Sequence, residues 1–215
     1  NITKRNNLED AVEELKNEAT IVFDNYNSWK RGIWKDLIEI QTDPQLSEIL
    51  QNHRKASFQH IITGYLKETL QGAGIDIFVI RNSAHSEAGI ISLTYNNFLL
   101  SELQSLENRK THPYIDLRLL GDQLSMIGIT RLKVDAPISI DLFLIKRIDK
   151  DFCNQLILNR SSHALFFLDN HYLSGTLHES AFVEIPGVTN FDTEGYEIHD
   201  IEVERPGYNI AIQKI

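Results

Sequence analysis

The sequence predicts an α+β chain: a long N-terminal helical stalk followed by two antiparallel-sheet modules. Three observations carry this. Apolar residues recur at helical spacing over the first seventy positions, the code changes to short alternating runs after Gly74, and a second, smaller helix-and-strand cycle follows Asp149. The resulting division is a stalk over 1–73, a first module over 74–148 and a second, smaller module over 149–215.

The first element is read from Leu8, Val12, Leu15, Ala19, Val22, Tyr26, Trp29 and Ile33, whose steps alternate four and three. This is a heptad-like seam, and Leu37 and Ile40 continue it after one extra residue, so the seam drifts there. Asn7, with Asp10 three residues on, is a helix start. Such a seam needs a partner, supplied either by the chain's own domain or by a second copy in a homodimer through the N-terminal helix. The second reading puts Trp29 and Ile33 at or beside a parallel helix–helix contact between two chains. Asp43-Pro44 interrupts the pattern, with Asp43 as a cap and Pro44 in a first turn. A second helix then carries Leu46, Ile49, Leu50, Phe58, Ile61, Ile62, Tyr65, Leu66 and Leu70 up to Gly72-Ala73-Gly74. At ~1.5 Å per residue each helix reaches roughly 45 Å.

Strands are expected at Ile75–Ile80, Gly89–Tyr95, Tyr114–Leu120, Leu124–Val134 and Pro137–Ile148, with a helix at Asn97–Asn108 and a turn at Gly121-Asp122. The last three strands can run as a meander. In the second cycle Asp149–Arg160 reads as a helix, and His163–Leu168 with Tyr172–Leu177 as a hairpin. Ala181–Ile185, Tyr196–Val203 and Tyr208–Gln213 are further strands.

Composition bounds the function. With 21 Lys and Arg against 30 Asp and Glu, the net charge is −9, which speaks against nucleic-acid binding and against retention on anionic lipid by charge. The single cysteine, Cys153, makes neither an intrachain disulfide nor a thiolate zinc site. None of the eight histidines stands in a metal-type i, i+4 pair, and His178-Glu179 lacks the second histidine of a zinc-protease motif. There is no Gly-x-Ser-x-Gly string for a serine nucleophile, and Gly72-Ala73-Gly74 precedes a strand rather than a helix, so no phosphate loop is formed. No catalytic residue, metal or cofactor is therefore assigned.

The order of elements is that of a PAS-like sensor fold, a central antiparallel sheet with helices on one side. The string Ala136-Pro137-Ile138 through Phe152, then Leu156-Ile157, then HALFFLDNHYLSGTLHES, together with GIDIFVIR, resembles the double-Cache domains. These are the extracytoplasmic sensors of bacterial histidine kinases, chemoreceptors and cyclic-nucleotide signalling proteins. The resemblance covers most of the chain, but the aromatic-and-arginine motif of the amino-acid-binding branch is not found. It implies a ligand-sensing, non-enzymatic domain in the periplasmic or extracellular portion of an inner-membrane receptor. The stalk would then enter from one membrane span and the chain after Ile215 would return to another. A ligand-free dimerisation or protein-contact module of such a receptor is the alternative.

The polar residues of the first module's sheet and loops are Arg81, Tyr95, Tyr114, Arg118 and Arg131, with Asp116 and Asp135 nearby. An arginine on an apolar strand is informative, because its fork grips a carboxylate. A small ligand bearing a carboxylate or similar group is therefore expected against Tyr95, Tyr114, Arg118 or Arg131. Arg118 and Asp116 stand two apart on one face, where they can also pair with each other.

Overall fold

In the computed structural model, residues 2–51, 58–82, 88–91, 113–133, 139–158, 163–168, 171–176, 197–201 and 208–212 are described. The chain is α+β and divides into two compact units, Asn1–Asn27 with Asp149–Ile215, and Ser28–Ile148. Helix α1 (Ile2–Thr42) contributes to both. The expected second long helix is described as two stretches, α2 (Pro44–Gln51) and α3 (Phe58–Thr69), on either side of residues outside the description.

In Ser28–Ile148, Asp43 caps α2: the Gln45 amide donates to its Oδ1 at 2.7 Å, and the buried Tyr65 hydroxyl donates to its Oδ2 at 2.7 Å. Burial, with this bond second, pushes the Tyr65 phenol up to about 12. Five strands form an antiparallel PAS-like sheet: β1 (Ile77–Asn82), β2 (Ala88–Ile91), β3 (Tyr114–Leu120), β4 (Gln123–Lys133) and β5 (Ser139–Arg147), in the spatial order β2-β1-β5-β4-β3. The β3–β4 hairpin closes on Gly121 at φ +64°, a conformation that a Cβ disfavours. β3, β4 and β5 form the expected meander, and β5 then pairs with β1.

Both faces of the sheet are buried along β1, β5 and β4. A Cβ on Gly128 of β4 would stand 2.5 Å from Ile33 Cγ2 and 3.0 Å from Leu37 Cδ1, so α1 lies close against this strand. Ile33 and Leu37 are buried there against the chain's own sheet, and Ile40, next in the seam, is buried as well. Ile33 thus packs on its own domain, one of the two partners that the seam allows. The opposite face carries a cluster of Ile77, Val79, Leu120, Ile127, Ile129, Phe143 and Ile145.

In the other unit, α4 (Lys150–Leu156) starts at Asp149, whose Oδ1 accepts the Phe152 amide at 2.9 Å. Asn25 Nδ2 donates to the Leu156 carbonyl at 2.8 Å, satisfying one of the free acceptors at the helix end. Two hairpins follow, β6 (Leu165–Leu168) with β7 (His171–Gly175), and β8 (Glu197–Ile201) with β9 (Tyr208–Ile212). These are two two-stranded pieces rather than one described second sheet, and the strand expected at 181–185 lies outside the described residues, as do the helix expected at 97–108 and Asp135. Tyr26, Phe152, Cys153, Leu156, Ala164 and Phe166 are buried, with the Tyr26 and Phe166 rings 6.1 Å apart. Burial pushes the Cys153 thiol up to about 11, so it is a packed side chain rather than a nucleophile.

The cap makes a direct prediction. Asp149→Ala should lower unfolding stability by about 1 kcal/mol, whereas Asp149→Asn, which can still accept the amide, should cost little. Urea unfolding of both variants checks this, and equal losses would show that the cap contributes nothing by its hydrogen bond.

Candidate functional site

Pairing register places the charged residues of the sheet. Arg131 on β4 stands opposite Asp141 on β5, and Asp141 stands opposite Arg81 on β1. Tyr114 on β3 stands opposite Ile129, two residues before Arg131. Residues in register or two apart share a face, so Tyr114, Arg131 and Asp141 lie on the face of the Ile127, Ile129, Phe143 and Ile145 cluster. Ile129 and Arg131, two apart on β4, share this face.

Arg131 and Asp141 form a two-point contact, Nε to Oδ1 at 2.8 Å and Nη2 to Oδ2 at 3.3 Å. The geometry matches the guanidinium fork to the carboxylate edge. The two groups differ in environment: the Asp141 side chain is 2% exposed and that of Arg131 35%. Hydrogen bonding to Asp141 holds the Arg131 guanidinium still further above its usual range, opposed by burial and helped by the charge of Asp141 and by Tyr114. Tyr114 is half-buried and packs on the apolar cluster. The result is a polar corner on an apolar sheet face, with an arginine that still reaches solvent.

Arg118 lies elsewhere on this face. It stands opposite Ser125, six residues along β4 from Arg131, or roughly 20 Å at strand spacing. Its Nε contacts Asp116 Oδ2 at 2.7 Å, and both side chains are well exposed. Arg118 and Arg131 are thus too far apart to grip one small group together, and Arg118 makes the pair with Asp116 that its spacing allowed. Tyr95 lies outside the described residues. Sequence reasoning missed Asp141. The signal was present, a carboxylate inside the apolar run SIDLFLI, but its partner becomes visible only once the β4–β5 register is known.

Among the described residues no group of three or more His, Cys, Asp or Glu is placed to hold a metal ion. Nor is any helix among them long and apolar enough to cross a membrane.

No protein-family model and no curated protein matches the chain. Among solved structures, it is similar to a domain of a sensory box/GGDEF family protein from Vibrio parahaemolyticus, with a TM-score of 0.52 and 16% sequence identity over 82% of this chain and 76% of that one. At this identity the likeness is one of fold: a long N-terminal helix with an antiparallel sheet, shared with a domain of a sensory box/GGDEF protein.

Proposed function

We propose that this chain is a ligand-sensing domain of a transmembrane signalling receptor, placed outside the cytoplasm and without enzymatic activity of its own. The observation that carries the reading is the Arg131–Asp141 pair beside Tyr114 on the apolar face of the PAS-like sheet. An apolar wall with a few convergent polar groups is the usual composition of a small-molecule site. Likeness of fold to a sensory box/GGDEF domain supports the same class. The ligand carries a carboxylate or similar group, received by Arg131 with Tyr114 alongside. Arg81, opposite Asp141 in register, gives this row two arginines to one aspartate. Tyr95 belongs to the proposed ligand set as well, and Arg118 serves at most a distant part of it. The ligand shifts the domain between two packings only by its differential affinity for them.

A thermal-shift screen of organic acids and amino acids tests this. A hit should raise the melting temperature with the logarithm of its concentration, by an amount equivalent to about 2.7 kcal/mol at a hundredfold excess over Kd. Arg131→Lys, which keeps the charge but loses the fork, should abolish most of the shift, and Arg118→Ala should leave it. A response unaffected by Arg131→Lys would move the site, and a ligand without an acidic group would end the charge argument. No hit, together with a stable dimer by sedimentation, would favour the contact-module alternative.

A further inference from the structure

The chain passes between its two compact units twice, after Asn27 on α1 and after Ile148 beyond β5. Within Ser28–Ile148, the residues just inside these two passages meet. Trp29 presses on the backbone where α3 gives way to β1: a Cβ on Gly74 would lie 2.5 Å from Trp29 Cη2 and 2.9 Å from Cζ3. Gly74 also has φ +69°, so both its space and its conformation depend on having no side chain. Lys146, near the end of β5, places its Nζ 5.2 Å from the Trp29 ring centre. The same Nζ is 3.4 Å from Asp76 Oδ2, which also accepts the Arg147 amide at 2.8 Å. Lys146 is buried. An ammonium out of water is tolerated only with compensating partners, and here those are a carboxylate and an indole face.

We propose that Trp29, Gly74, Asp76 and Lys146 form a latch that makes the start of the α1 segment and the end of β5 hold or release together. The packing of Ile33 and Leu37 on Gly128 is apolar and non-directional. The latch is directional and interdependent. Withdrawing Trp29 strips the ammonium of its aromatic face, and withdrawing Asp76 strips it of its counter-charge and frees the Arg147 amide. Such a cluster is two-state rather than graded. β5 also carries Asp141, five residues before Lys146 and about 17 Å away along the strand. A displacement of β5 at that corner therefore reaches the latch through one continuous strand. The latch stands whether or not a ligand binds there.

Hydrogen exchange on the whole 215-residue chain tests the linkage. Lys146→Met keeps the stem and removes the charge. It should raise exchange about tenfold, and together, in 29–40, 75–77 and 145–148, with 114–120 and 150–156 unchanged. Asp76→Asn, a milder change that leaves an acceptor for the Arg147 amide, should show the same pattern at smaller amplitude. In a Trp34→Phe background Trp29 is the sole tryptophan, since the chain has two, and its emission should move to the red in both variants. A uniform rise across the sheet would show that Lys146 contributes only general stability and would overturn the proposal. So would a rise at 145–148 with 29–40 unchanged, because the two passages would then be independent.

Discussion

Ile33→Lys is expected to unfold the Ser28–Ile148 unit rather than to separate two chains. Ile33 is 1% exposed and lies against Gly128 and Leu37 in the layer between α1 and the sheet. Losing the buried isoleucine removes about 2–3 kcal/mol of transfer free energy. The incoming ammonium must then either lose its water, at a cost of several kcal/mol, or force the helix off β4 to reach solvent. Together these approach the whole stability of an ordinary domain, about 5–15 kcal/mol. Loss of near-UV circular dichroism and of cooperative urea unfolding would register it. A folded variant with the wild-type midpoint would show that α1 is not held on the sheet through this face. The residue suited to testing self-association is Trp34, 43% exposed on the same helix. Trp34→Lys should change stability by no more than about 0.5 kcal/mol, so a change in sedimentation can be assigned to assembly.

That contrast shows what the sequence could and could not reveal. The seam through Tyr26, Trp29, Ile33, Leu37 and Ile40 marks the inward side of α1 correctly, because burial follows helical period whatever the partner. Identifying the partner requires knowing that Gly128 lies opposite, and a glycine in GITRLK looks like a weak point in a strand rather than a groove for a helix. Strand limits were legible where alternation and turn chemistry agree, as at Tyr114–Leu120 before Gly121-Asp122. The Asp43 cap was local and legible in the sequence, whereas Asp149, read as the first residue of its helix, proves to be its cap. The candidate site was only half legible. Arg131 stands out as a charge in an apolar strand, but its relation to Asp141 depends on a register set by the connection between β4 and β5. Arg118 carries the same sequence signal as Arg131 and lies on the same face, and only the register shows that it stands six residues away along β4, where it pairs with Asp116, while Arg131 meets Asp141.

Arg131→Ala should destabilise the protein more than Asp141→Ala, although the two substitutions break the same contact. Removing Arg131 leaves a carboxylate that is 2% exposed stripped of its fork, and breaking a buried pair in this way costs about 3 kcal/mol or more. Removing Asp141 leaves a guanidinium that is 35% exposed and can turn to water, so the loss should be about 1–2 kcal/mol. The double alanine variant should lose less than the sum of the two, because both single deletions break the same contact. Urea unfolding of the three variants measures the order and the coupling. Equal or reversed losses would show that the Asp141 carboxylate is satisfied without Arg131, with Arg81 as its register neighbour on β1 the first group to test. Replacing both residues with leucine separates stability from function. An apolar pair of similar volume commonly matches or exceeds a buried ion pair in stability, so Arg131→Leu with Asp141→Leu should fold near the wild-type midpoint. The same variant should give no thermal shift with any acid that stabilises the wild type. A doubly substituted protein that folds and still responds would place the ligand away from this corner of the sheet.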